Sequence, residues 1–278
     1  MLRPFVLFGL LLATAGAAAA QDVEPPKDIP FEGGTFTITQ NEDFERVLTY
    51  DGKEIARNYM VFYDRMVKLG ETNVALFSVG DGGNACGASE VIAWKVPEKG
   101  LRTVVVGDDC DGAPPVSVGD SQLYFVPYLL PGASRPLLTW SPETGLRTGG
   151  TLSFTPQPDT SWETLDTENP GSMIAAFDNA AIYEAGKALL GDRFGDVIAG
   201  LLTGGDAEKQ PDGTITGYGC VPHACGVSDT FMAIDPTAKK LYFAQQNSDA
   251  GKPDAWPDLA GWPESLKTAM AKAIGNSQ

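Results

Sequence analysis

Thr214-Ile215-Thr216-Gly217-Tyr218-Gly219-Cys220-Val221-Pro222-His223-Ala224-Cys225-Gly226 carries two of the four cysteines and the single histidine of this 278-residue chain. Thr214 to Tyr218 predicts a strand that runs into a loop bounded by Cys220 and Cys225. If these two pair, they close a four-residue tip, and the chain-entropy relation credits so short a loop with roughly 2 kcal/mol. Pro222 fixes one more dihedral beside His223. The segment reads as a small, stiff projection that presents one imidazole.

Outward from this loop the pattern is mixed helix and strand. Thr230 to Ile234 and Lys240 to Gln245 predict a hairpin joined by 235–239, with Phe231, Ile234, Leu241 and Phe243 on its buried side. Upstream, Ser172 is expected to cap a helix carrying Ile174, Phe177, Ala181, Ile182 and Leu189 and ended by Gly191. Asp192 is expected to cap a second piece, with Phe194, Val197, Ile198, Leu201 and Leu202, before Gly204-Gly205. A last helix begins near Pro263 and places Leu266, Met270 and Ile274 on one face. Between hairpin and last helix, Asn247 to Gly261 is too rich in proline and glycine to predict a strand, and Trp256 and Trp262 within or beside it are assigned to packing.

The pattern CxPHxC, followed by glycine and a hairpin, resembles the inhibitory loop of the Ivy family of periplasmic lysozyme inhibitors. That family typically has CKPHDC, closed by a disulfide, and inserts it into the lysozyme cleft with the histidine against two catalytic carboxylates. Cys220, Pro222, His223 and Cys225 fall on the matching positions; Val221 stands where the family usually has lysine and Ala224 where it has aspartate. The resemblance covers roughly the last 105 residues, judged also from element order. It implies an α+β domain over 172–278, an inhibitory loop of Cys220, Val221, Pro222, His223, Ala224 and Cys225, and a lysozyme or other muramidase as protein partner. An imidazolium between two carboxyl groups about 5 Å apart could donate from both ring nitrogens and exclude the sugar.

Other roles for His223 fit less of the pattern. A general base needs a serine or cysteine nucleophile and an orienting acid, and no GxSxG occurs. A zinc site is the weaker reading, because the chain has one histidine and no CxxC spacing. A ring that packs on, or hydrogen-bonds to, its own loop is the structural alternative; the inhibitor reading accounts for the bridge, the proline and the single imidazole together. No catalytic residue, metal or cofactor is assigned. The competing function is a periplasmic binding or scaffold protein of the cell envelope in which the loop is structural.

From about Thr35 to Thr155 the chain alternates short apolar runs with turn residues. Gly34–Ile38, Arg46–Tyr50, Val61–Tyr63, Val74–Val79, Val91–Val96, Thr103–Val106, Leu123–Val126, Pro136–Trp140 and Thr151–Phe154 each predict a strand, separated by Asp51-Gly52, 97–100, Gly119-Asp120 and Glu143-Thr144-Gly145. This predicts an all-β domain over 21–160, an antiparallel sandwich or meander, then a linker over 161–171. The fold class is therefore α+β overall. The acidic turns Asp81-Gly82-Gly83-Asn84 and Asp108-Asp109-Cys110-Asp111 lack the EF-hand order of calcium ligands and are read as solvated turns.

Met1 to Ala20 has a basic start, an apolar run from Phe5 to Leu12 and a small-residue stretch ending in Ala-x-Ala, the parts of a secretory signal peptide cleaved near Ala20. An exported chain, periplasmic or secreted and not inserted in a membrane, follows as the expectation. In an oxidising compartment four cysteines tend to pair; of three connectivities, the economical one joins Cys86 with Cys110 and Cys220 with Cys225. The net charge of −16 excludes nucleic acid and anionic lipid as partners and speeds encounter with cationic proteins.

Overall fold

The computed structural model describes residues 28–82, 86–107, 112–247 and 251–275. The predicted signal peptide, Cys110 and the turn residues 83–85 and 108–111 lie outside these residues.

Three four-stranded antiparallel sheets follow one another in the N-terminal region. The first holds β1 (Asp28–Phe31), β2 (Gly34–Gln40), β3 (Arg46–Tyr50) and β4 (Lys53–Asn58); the second β5 (Met60–Leu69), β6 (Thr72–Gly80), β7 (Ser89–Val96) and β8 (Gly100–Val106). The third holds β9 (Val116–Val118), β10 (Leu123–Phe125), β11 (Ser134–Ser141) and β12 (Gly145–Ser153). Tight turns join neighbours: Asp51-Gly52 links β3 to β4 with φ of 47° and 78°, the paired positive values of a type I′ hairpin.

The stacking order is written in Val74-Ala75-Leu76-Phe77 of β6. Successive strand side chains point to opposite faces, and all four here are buried. Ala75 and Phe77 join Phe36, Leu48 and Tyr50 of the first sheet, whereas Val74 and Leu76 join Leu123, Phe125 and Trp140 of the third. Ring contacts mark both interfaces, Phe36 to Phe77 at 4.8 Å and Trp94 to Trp140 at 4.8 Å. The second sheet is thus the middle layer, which requires a continuous apolar run rather than an alternating one.

The C-terminal region combines helices with one mixed-length antiparallel sheet. Its helices are α1 (Ala180–Leu190), α2 (Phe194–Ala199) and α3 (Glu264–Gly275). The sheet holds β13 (Thr203–Gly204), β14 (Glu208–Lys209), β15 (Ile215–Cys220), β16 (Thr230–Asp235), β17 (Lys240–Gln245) and β18 (Asp254–Trp256). On one face Met232, Ile234, Leu241 and Phe243 pack with Ile182, Val197 and Ile198; on the other Phe231, Ala233, Tyr242 and Ala244 pack with Trp262, Leu266 and Met270 of the α3 side. Phe231 therefore faces away from Ile234 and Phe243. The expectation of one buried side fails because helices cover both faces of β16 and β17, and strand parity sends Phe231 toward α3.

Helix starts also depart from expectation. Asn179, not Ser172, caps α1, accepting from the Ala181 and Ile182 N–H groups at 2.9 and 3.3 Å. Ser172 Oγ instead accepts from Ala175 N–H at 3.3 Å, ahead of a separate 3-10 turn over Ala175–Asp178 that begins after Ile174. Asp192 caps nothing, because a 3-10 turn over Gly191–Arg193 runs into α2 and Phe194 N–H bonds Gly191 O. The stretch 247–261 does contain a strand: β18 pairs with Phe243–Gln245 as the edge of the sheet, where proline-rich neighbours are tolerated.

Residues 161–171 are in part folded onto the C-terminal core. Ser161 caps a 3-10 turn over Trp162–Thr164, Trp162 and Leu165 pack against the α1–α2 core, and Glu163 pairs with Lys239 at 2.6 Å. Phe154, next to β12, packs its ring against Tyr183 of α1 in a tilted contact, with centroids 5.4 Å apart. No helix among the described residues is long and apolar enough to cross a membrane.

Candidate functional site

β15 leads into the site. Its residues alternate between the two covered faces, and only Tyr218 stands exposed. Gly219 faces Thr230 of β16 and Cys220 faces Thr203 of β13, so both neighbours leave off near Cys220. Close approach there requires glycine: a Cβ on Gly204 would sit 2.4 Å from the Tyr218 carbonyl oxygen. The chain beyond Cys220 has no further sheet partner and projects as a loop.

Cys220 and Cys225 form a disulfide with their Cα atoms 5.0 Å apart. Inside the ring, Ala224 N–H donates to Val221 O at 2.9 Å, closing a β-turn with Pro222 at its second position and His223 at its third. His223 has φ +64° and is exposed. Proline followed by positive φ is the signature of a type II turn, whose third position ordinarily takes glycine. A residue with a Cβ in this region costs roughly 1–2 kcal/mol. An imidazole held at that cost, at the tip of a closed ring, points to a role for the side chain.

The neck below the ring is built from residues that the motif did not announce. Ser228 Oγ accepts from Val221 N–H at 3.0 Å and donates to Ala224 O at 2.8 Å, fastening both arms of the turn. Ser228 and Val227 N–H also reach Ala224 O, at 3.0 and 3.2 Å. Gly226, at φ +88°, donates its N–H to Asp229 Oδ1 at 2.8 Å and accepts from Gln246 Nε2 at 2.9 Å. Gln246 N–H donates to Asp229 O at 2.8 Å, and Asp229 is only 4% exposed. The loop is thereby seated on the ends of β16 and β17. The polar run Ser228-Asp229-Thr230, immediately before a strand, was the one sequence signal that could have suggested such anchoring.

Val221 and Ala224 are half-buried within the ring, and Pro222 and Cys225 are exposed beside His223. Cys86 is engaged in a disulfide, while its expected partner Cys110 lies outside the described residues. Among the described residues no three His, Cys, Asp or Glu side chains are grouped so as to hold a metal ion. What the arrangement offers chemically is one exposed imidazole, with two ring nitrogens, on a disulfide-closed turn.

Two family models match the chain. Residues 32–153 match the Y4bG N-terminal domain, and residues 181–276, which include the whole cysteine ring, match the family described as inhibitor of vertebrate lysozyme (Ivy). Almost end to end, the chain is similar to the uncharacterized protein y4bG of Sinorhizobium fredii (strain NBRC 101917 / NGR234), 28% identical over 265 residues that make up 94% of this chain and 96% of the relative.

Proposed function

We propose that this protein is an exported inhibitor of a lysozyme or related peptidoglycan hydrolase, acting by insertion of the Cys220–Cys225 loop with His223 between the catalytic carboxylates. One observation carries the reading: the single histidine sits exposed at the third position of a disulfide-closed turn, at φ +64°, where glycine would be the low-energy residue. A rigid loop loses little ordering entropy on insertion, and charge-assisted bonds from an imidazolium to two carboxylates are stronger than neutral ones. The match of residues 181–276 to the lysozyme-inhibitor family and the acidic balance of the chain support the same reading. Val221 and Ala224, in place of the lysine and aspartate usual in that family, leave the histidine to act without charged neighbours in the ring. No residue of this chain performs catalysis in the scheme; the protein blocks another's active site. Export rests on the signal-peptide pattern of residues 1–20.

A cell-wall lysis assay with a c-type lysozyme tests the proposal directly. The parent protein is expected to slow lysis and His223→Ala is expected to lose that effect. Inhibition undiminished in His223→Ala would remove the histidine from the mechanism. A folded parent that slows neither this lysozyme nor bacterial muramidases would favour the envelope-binding role instead.

A further inference from the structure

A groove of about 740 Å³ opens between α3 and the edge where β14 pairs with β15. This lies within the size range of small-molecule sites. Phe231, Ala269 and Ala273 give it an apolar floor and Tyr218, 59% exposed, an aromatic wall. Its rim is polar and carries both signs of charge: Asp206 and Glu208 on the strand side, Lys272 on the helix side. None of these three charged groups is drawn into an ion pair or a side-chain hydrogen bond among the described residues. Gln210, by contrast, is already fixed by its bond to Thr216 Oγ1 at 2.7 Å.

The chemistry of the lining discriminates among ligands. A purely apolar occupant would use the floor and Tyr218 but none of the two carboxylates and the ammonium that stand exposed along the rim. A phosphate or nucleotide meets two negative groups and a single cation, and a polyamine meets Lys272. An occupant with apolar C–H faces and an equatorial rim of hydroxyls suits every element: the faces lie on Tyr218 and the floor, hydroxyls donate to Asp206 and Glu208, and Lys272 donates to hydroxyl or ring oxygens.

We propose that the groove between α3 and β14–β15 binds a neutral oligosaccharide of pyranose rings, stacked on Tyr218. The site does not depend on lysozyme inhibition. Tyr218 nevertheless precedes Cys220 by two residues on the same strand, so a bound sugar chain would lie beside the base of the projecting loop.

Isothermal titration of the full chain with chitopentaose, and separately with cellopentaose, provides the test. Saturable binding of at least one sugar is expected, with Kd near or below about 1 mM. Tyr218→Ala is expected to weaken it about tenfold, the worth of one aromatic contact, and Glu208→Gln to weaken it also. Both side chains are exposed, so neither change removes core packing, and circular dichroism melts verify the fold of each variant. Absence of saturable binding of either sugar by the folded parent would overturn the proposal. So would binding that survives both substitutions unchanged.

Discussion

The Ser228 hydroxyl accepts the Val221 backbone N–H at 3.0 Å across the neck of the cysteine ring, joining the ascending arm of the loop to the segment that leads down into β16. The same oxygen donates to Ala224 O, so one side chain holds the ring shut independently of the disulfide. Ser228→Ala leaves Val221 N–H without that acceptor and is expected to cost about 1–2 kcal/mol of stability. If the loop must be rigid to insert, inhibition should fall by more than this loss of folding predicts. Urea denaturation and the lysis assay on the same variant check both parts.

Relief of backbone strain at His223 gives a prediction of opposite sign for stability and activity. Replacement by glycine removes a left-handed conformation costing roughly 1–2 kcal/mol, offset by about 0.5–1 kcal/mol of extra chain entropy in the unfolded state. His223→Gly is expected to be more stable than the parent by a few tenths to about 1 kcal/mol and to lose inhibition. His223→Ala keeps the φ of +64° and should show no such gain. A urea midpoint that falls in His223→Gly would show that the imidazole contributes contacts outweighing the strain.

The contrast between what was and was not legible follows from where each signal resides. The strands of the N-terminal region announce themselves because their apolar residues and positive-φ turns are local, as at Asp51-Gly52. β4, with Lys53, Glu54, Arg57 and Asn58 among its six residues, and β12, exposed along most of its length, escape recognition in whole or part. Both are edge strands held by backbone pairing to a neighbour, which leaves no apolar alternation to read. β18 forms in a proline-rich stretch for the same reason: Gln245, Ala244 and Phe243 supply its partners. At the site, Cys220, His223 and Cys225 are readable as a motif. The seat of Asp229 and Gln246 is not, because Gln246 reaches Gly226 from 20 residues away and only the β16–β17 register brings them together.

Removal of the ring closure separates rigidity from folding. Cys220→Ser with Cys225→Ser is expected to lower stability by roughly 2 kcal/mol, the entropy of so short a loop, while the bonds from Ser228, Asp229 and Gln246 keep the neck in place. The double variant should therefore fold yet inhibit less, since the tip must be ordered on insertion. Circular dichroism melts against inhibition titrations read the two effects apart; full inhibition by the open loop would show that ring closure serves folding alone.

Glu90 on β7 supplies a pH dependence seated in the middle sheet, away from the loop. It is 6% exposed, and burial, reinforced by the negative charge of Asp64, pushes its carboxyl up to about 7; Ser78 Oγ, 3.5 Å from Oε2, and Arg65 oppose the shift only in part. A carboxyl raised in the folded state binds its proton more tightly there than in the unfolded chain. Its contribution is therefore fully present below the ordinary glutamate value of 4.5 and is lost as pH rises toward about 7. A shift of this size corresponds to roughly 3 kcal/mol. Above pH 7 the folded protein must hold an ionised, largely dehydrated carboxylate, which the neutral amide of Glu90→Gln avoids. The stability difference between Glu90→Gln and the parent should accordingly be small near pH 4 and grow in favour of the variant by a few kcal/mol by pH 8. Urea unfolding of both proteins across that range measures it, and a difference that stays flat with pH would assign the titration to another group.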